Sequence, residues 1–241
     1  AIGDARAALS IDPRSTLALN ALAFAQWQHV NFGTAADRET AWQEGIAAAT
    51  RAIEVDRSDS AAYATKGRLL VFAPDGDRLD EALTNARQGH ELNPHNMLSL
   101  NALAFVENMM GNPESAAEHL HQALRISPRD PVRHLMHAQL ALASVLSGQY
   151  ANSVKYALLG IDEAPGFPFL GVFLAIGYVG LGEIGKAKAV LEAARRVGPE
   201  FIASRLAGGF PYRKPEHRLR ATTFLRIAAG LEDPSAADGL R

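Results

Sequence analysis

The chain has 241 residues, 48% of them hydrophobic, so it can bury a substantial core as one domain or as one elongated array. A formal net charge of -2 gives no global reason to expect nucleic acid or an anionic membrane as a partner. With no cysteine, disulfides, thiolate zinc sites and a cysteine nucleophile are excluded, and a cytoplasmic placement is the expectation. Alanine supplies much of the hydrophobic fraction and aromatics only 7%, a balance that suits closely packed helices better than a sheet.

The longest apolar run, around Phe167 to Leu181, is too short to span a membrane and contains Pro168 and glycines 171, 177 and 180. No basic-then-apolar leader opens the sequence. Ala1 to Leu9 already carry a helical pattern, so the expectation is an entry in mid-unit, with further sequence upstream.

Residues 3–12 read as the second helix of a unit whose first half is absent. Residues 15–30 and 40–55 form the next pair, around a long turn beginning Asn31-Phe32-Gly33-Thr34. Helices at 59–73 and 78–92 follow, separated by the turn signal Pro74-Asp75-Gly76-Asp77. The clearest pair is 96–110 and 113–126, joined at Gly111-Asn112-Pro113, where Asn112 can cap the helix that Pro113 starts. Asp130-Pro131 repeats that device ahead of 131–147, and helices at 150–163, 167–181 and 184–197 complete the series. Residues 200–207 start a further helix that Gly208-Gly209-Phe210-Pro211 interrupts, and Pro215 opens a last one through about Ala229.

A stop closes each outer helix, at Pro13, Arg57, Pro94, Pro128, Pro165 and Pro199, with spacings of 44, 37, 34, 37 and 34 residues. The unit of 34 resembles the tetratricopeptide repeat. Leu103-Ala104 stand at that family's large-small pair, Gly111 at its turn, and Ala116, Leu120 and Ala123 on its second-helix stripe. Ala175, Tyr178, Gly182, Ala187, Leu191 and Ala194 match in the unit ending at Pro199. Gly67, Ala82 and Pro94 match in another, where Gly89 replaces the usual Ala, and Ser153, Ala157 and Gly160 give a looser stripe. The resemblance implies an all-α fold, a right-handed α-α superhelical solenoid of helix-turn-helix repeats with a C-terminal capping helix. The expected organisation is an array of about five units over 1–199, a capping segment over 200–231 and a flexible tail over 232–241.

Several features invite a chemical reading. Gly180 to Lys186 satisfies GxGxxG and nearly a phosphate loop, but both motifs need a preceding strand, and the flanks here read as helix. His134 and His137 can share a helix face, yet their helix, 131–147, carries no carboxylate to complete a metal site. No GxSxG, HExxH or paired-carboxylate arrangement is evident, so no catalytic residue, metal or cofactor is expected in this chain. Arg205, Arg213, Lys214, Arg218, Arg220 and Arg226 make the C-terminal region basic; with few aromatics interleaved, they read as a solvated cap face rather than a nucleic-acid patch.

More informative is a near-duplication, Leu17 to Phe24 (LALNALAF) against Leu98 to Phe105 (LSLNALAF), both on first helices. In the tetratricopeptide family the first helices line the concave surface. By that resemblance Asn20, Phe24, Trp27, Arg68, Asn101, Phe105, Asn108 and Gln139 face the groove. Asparagine amides can hold an extended peptide backbone, and Phe and Trp can supply pockets. The lysines with which chaperone-tail binders of the family grip a terminal carboxylate are missing.

Ser127 to Pro131, Ser147 to Tyr150, Phe210 to Glu216 and Ala228-Ala229-Gly230-Leu231 look like the repeat region of certain bacterial regulators. In these, a class III adenylate/guanylate cyclase or a winged-helix DNA-binding domain precedes C-terminal tetratricopeptide repeats. The resemblance implies a non-catalytic interaction and regulatory module, whose partner is a protein segment in the groove or its own effector domain. The alternative is a self-association module that pairs upstream cyclase domains as a homodimer.

Overall fold

The computed structural model describes residues 1–240, which form thirteen α-helices and one 3-10 helix and no strand. In chain order the helices are α1 (Ile2–Ile11), α2 (Thr16–Phe32), α3 (Arg38–Val55), α4 (Ser60–Leu70), α5 (Leu79–Leu92), α6 (Met97–Met110) and α7 (Pro113–Ile126). They continue with α8 (Arg133–Leu146), α9 (Tyr150–Glu163), α10 (Pro168–Gly180), α11 (Ile184–Val197), α12 (Pro199–Leu206) and α13 (Pro215–Ala228).

Local chemistry sets these boundaries. Ser15, Asp37 and Asp59 accept amide hydrogens of the first turns of α2, α3 and α4. Pro113, Pro168, Pro199 and Pro215 open helices, where a missing N–H leaves no bond unmade. Asn112 sits at the cap of α7 but makes no side-chain capping bond, so Pro113 carries that start. The turn after α6 is closed by backbone bonds, Gly111 N–H to the Asn108 carbonyl at 3.0 Å and Asn112 N–H to that of Glu107 at 2.9 Å. Gly111 makes this possible with φ 84°. Helix α2 runs two residues further than expected, to Phe32, and α3 begins at Arg38 because Asp37 caps both Glu39 and Thr40.

The chain divides into two compact units, residues 1–106 and 107–241, with the division inside α6. In the first, α2 pairs with α3 and α4 with α5, and α3 packs on α4. One core cluster is mostly alanine, Ala5, Ala23, Ala48, Ala49, Ala52 and Ala62 with Leu19 and Leu22, edged by Ile2, Leu9, Ile53 and Val55. Close approach explains Gly89. A methyl group there would lie 2.8 Å from the Ser60 carbonyl oxygen, so α4 and α5 meet more tightly than alanine allows.

In the second unit α8 pairs with α9 and α10 with α11. Helix α11 buries Ala187, Leu191 and Ala194 at helical spacing, whereas α10 is buried continuously from Phe169 to Gly177. Helix α13 covers α10 and α11. The segment leading into it is tied down by Arg213 N–H to the Met109 carbonyl, 2.8 Å, and by Lys214 Nζ to that of Gly111, 2.8 Å. Farther along, Arg220 Nη1 reaches the Leu146 carbonyl at 3.2 Å and Phe224 packs on Tyr150.

Asp233 caps a 3-10 helix, Pro234–Ala237, and the Tyr150 hydroxyl donates to the Leu240 carbonyl at 3.4 Å. Ala237 is buried, an anchor too small to announce itself in a polar terminal sequence. Residue 241 lies outside the described residues.

Candidate protein-interaction site

Six of the eight residues expected to line a groove lie in the first unit, where Arg68, Asn101 and Phe105 are buried and Asn20, Phe24 and Trp27 partly exposed. Phe24 and Trp27, one helical turn apart on α2, have ring centroids 5.2 Å apart, and the Phe105 ring stands edge-on to Trp27 at 6.0 Å. The Arg68 guanidinium, from α4, lies 4.9 Å from the Trp27 centroid and 5.8 Å from that of Phe24. Its Nη2 donates to Asn101 Oδ1 at 2.6 Å and to the Leu98 carbonyl at 3.2 Å. Asn20 donates its amide to Asp59 Oδ2 at 2.6 Å. Thus the two duplicated asparagines have opposite duties: Asn20 gives a hydrogen bond to an acid, Asn101 receives one from a base.

The cluster is incompletely satisfied. Asn20 Oδ1, Trp27 Nε1 and Arg68 Nε are buried and have no hydrogen-bond partner. Arg68 is only 3% exposed, and no carboxylate pairs with it among the described residues. Burial without a compensating charge brings its guanidinium down to about 10. Asn20, Phe24 and Trp27 remain partly exposed and form the rim.

Asn108 and Gln139 lie in the second unit and bond each other. The Asn108 amide reaches the Gln139 side-chain oxygen at 3.2 Å and its main-chain carbonyl at 3.3 Å, with both residues buried. Asn108 Oδ1 is unpaired.

Sequence reasoning missed Asp59 and Phe72. One Asp59 oxygen caps α4 through Ala61 and Ala62 while the other holds Asn20; the capping pattern was readable, the second role needed the fold. Phe72 adds a ring 6.2 Å from Phe105. The histidines have tertiary partners that helix spacing could not show. His137 meets Glu163 at 3.0 Å, which also binds Arg133, and burial holds His137 below the ordinary imidazole range despite that acid. His119 meets buried Glu107 at 2.8 Å. No group of three or more residues able to hold a metal ion occurs among the described residues.

The glycine motif at 180–186 is the turn from α10 to α11. Glu183 N–H bonds the Tyr178 carbonyl at 2.8 Å, Gly182 takes φ 78°, and Lys186 reaches back to Glu183 at 2.5 Å. Of the basic C-terminal residues, Lys214 and Arg218 are exposed and Arg213, Arg220 and Arg226 partly so, while several of them also have partners within the chain. Arg205 is buried against Phe201 and Phe210, Lys214 and Arg220 hold carbonyls at helix ends, and Arg226 binds Glu232.

No family model and no curated protein matches the chain. Solved structures do. PilW, a type IV pilus biogenesis factor, aligns with TM-score 0.61 and 16% identity over 92% of this chain and 90% of its own. The pilF protein of Pseudomonas aeruginosa aligns with TM-score 0.58 and 16% identity over 88% of each chain. A thermophilic tetratricopeptide repeat protein of Thermus thermophilus gives 0.57 and 18% identity over 77% of this chain and 91% of its own. The fold is that of the tetratricopeptide-type α-solenoids. At these identities the likeness shows the fold alone. No helix is long and apolar enough to cross a membrane among the described residues.

Proposed function

We propose that this chain is a non-catalytic protein-interaction and regulatory module that holds an extended segment of a partner protein against the first-helix face of residues 1–106. The observation that carries the reading is the aromatic cluster of Phe24, Trp27 and Phe105 enclosing three unpaired polar atoms, on Asn20, Trp27 and Arg68. Aromatic anchors with a few orienting polar groups are what a peptide site needs, and buried polar atoms left unpaired cost stability unless a ligand satisfies them. Asn108 and Gln139, in residues 107–241, form an internally bonded pair and are proposed as a partner contact of that unit by itself.

The test is selection of peptides from a displayed library against the chain, with affinity followed by calorimetry. The double change Asn20→Ala and Phe24→Ala should weaken a selected peptide by about tenfold or more, with helical content unchanged. Unchanged affinity would remove the site. The finer part of the proposal, a cytoplasmic array C-terminal to a cyclase or winged-helix effector, is supported by the Phe210 to Glu216 and Ala228 to Leu231 resemblance.

A second reading, self-association, is favoured by one feature of residues 107–240. An apolar cavity of about 330 Å³ lies between α9, α10 and α11, lined by Leu158, Ile161, Gly171, Val190, Ala193 and Val197 among others. Leu158 and Val197 remain 47% and 52% exposed at its edge. That reading expects a stable dimer by light scattering, and a monomer at high concentration refutes it.

A further inference from the structure

The unpaired atoms of the aromatic cluster define the chemistry of what binds there. They are two donors, Arg68 Nε–H and Trp27 Nε1–H, and one acceptor, Asn20 Oδ1. The orientation of Asn20 is fixed because Asp59, an acceptor only, takes its amide, which leaves the carbonyl oxygen as the free end. Arg68 adds a formal positive charge that no acid of the described chain offsets. Its Nη2 is already engaged by Asn101 and the Leu98 carbonyl. The complement of this set is an anion with two acceptor oxygens beside an N–H donor.

We infer that Arg68, Trp27 and Asn20 form a subsite for the carboxylate of an acidic side chain in the partner segment, one oxygen on Arg68 Nε and the other on Trp27 Nε1, with a backbone N–H of the same segment on Asn20 Oδ1. Charge-assisted bonds to a guanidinium in a site of low dielectric favour a carboxylate strongly over its amide counterpart. The carboxylate is assigned to a side chain rather than to a chain end because the interaction reading above places an extended segment on this face, with chain running on from the acid in both directions. Phe24 and Trp27, both partly exposed, form the rim over Arg68. This inference rests on the interaction reading above and specifies its ligand.

The protein has two tryptophans, and they serve as probe and control. The Trp42 indole N–H is already bonded to the Leu69 carbonyl at 2.8 Å, whereas that of Trp27 is unpaired. Nuclear magnetic resonance of the indole N–H signals, assigned with Trp27→Phe, would follow titration with three pentapeptides. These are acetylated and amidated Gly-Gly-Glu-Gly-Gly, its glutamine counterpart, and acetylated pentaglycine ending in a free carboxylate. The expected result is a saturable shift of the Trp27 signal with the glutamate peptide, about fivefold or more weaker with the other two, and a Trp42 signal that stays put. Arg68→Met, which keeps the volume, should abolish the shift. Equal response to glutamate and glutamine, a stronger response to the free terminus, or movement of both indoles overturns the inference; the ligand comparison uses the unaltered protein and does not depend on the variant folding. If no pentapeptide shifts Trp27 but a library-selected peptide still does, the carboxylate subsite falls and the interaction reading stands. If neither does, both fall.

Discussion

Gly89 gives the sharpest test of how the repeats pack. In an unconstrained helix, replacing an interior glycine by alanine stabilises by about 1 kcal/mol through backbone entropy and propensity. Gly89 lies inside α5, so propensity alone predicts that gain. The packing argues the other way. An added Cβ would stand 2.8 Å from the Ser60 carbonyl oxygen, 3.0 Å from Ala64 N and 3.4 Å from Ala64 Cα, all backbone atoms of α4 that no rotamer change can move aside. The helices must separate by several tenths of an ångström, an overpacking cost of about 2–3 kcal/mol, so the net loss should be about 1–2 kcal/mol. For a chain of this size that lowers the thermal midpoint by roughly 2–8 °C. Gly185 is the control: it lies near the start of α11, and a Cβ added there would meet nothing within 4 Å. Gly185→Ala should be neutral to stabilising by about 0.5 kcal/mol, and it also deletes the last glycine of the phosphate-loop look-alike. Parallel calorimetric melts decide the matter. If Gly89→Ala stabilises as Gly185→Ala does, the close α4–α5 contact is not what fixes the register.

Two further outcomes follow from the electrostatics. Asp37 is held below its usual pKa first by the Thr40 amide, Glu44 by the Arg6 side chain and Asp56 by Ser58, so the folded state binds these protons less readily than the unfolded chain. Their stabilisation is present above the unfolded carboxylate range and lost as pH falls through and below about 4. His121, His137 and His217 are lowered chiefly by burial, so the unfolded chain takes up protons first as pH drops past about 6.5. Melting temperature should therefore decline gently below about pH 6.5 and steeply below about 4, and a midpoint flat to about pH 3 would contradict both assignments. Lys214→Met keeps the aliphatic stem but removes the ammonium from the Gly111 carbonyl. Amide exchange across α13 should quicken about fivefold, for a lost bond worth about 1 kcal/mol; unchanged exchange would mean that this tie does not hold the segment down.

What was legible in the sequence was whatever depends on neighbours in the chain. Proline at a first turn, aspartate at a cap and glycine at a positive-φ turn act within a few residues, and the helix limits came out close to their observed ends. The small-large-small stripes at Ala116, Leu120, Ala123 and at Ala187, Leu191, Ala194 likewise follow from spacing on one helix face. What was not legible depends on side chains meeting across long intervals. Asn20 and Asp59 are separated by 39 residues, His137 and Glu163 by 26, and Lys214 and the Gly111 carbonyl by 103. In the basic C-terminal run, Lys214 and Arg220 have backbone carbonyls as partners, which carry no residue identity in a sequence. Within the candidate site, Phe24 and Phe105 were visible as types in a repeated segment, but nothing near Asn20 in the chain pointed to Asp59, the acid that orients it.

Arg68 stands apart from the other cations for a reason that bears on function. Arg6 has Glu44, Arg78 has Asp75 and Glu81, and Arg133 has Glu163. Buried Arg205 stacks on two rings and bonds the Gly209 carbonyl. Arg68 is as deeply buried, yet it lacks an acid and leaves Nε unpaired between two aromatic rings. An apolar side chain of similar volume at that place would avoid the desolvation of a guanidinium, and such replacements of buried charge are often neutral or stabilising. What Arg68 supplies to the fold that a methionine would not is its bonds to Asn101 and the Leu98 carbonyl, and neither of these needs an unpaired Nε. Local violations of packing and satisfaction rules concentrate where a bound state restores them. A carboxylate seated between Arg68 and Trp27 restores the charge balance and both unpaired donors together, and an amide N–H beside it restores Asn20.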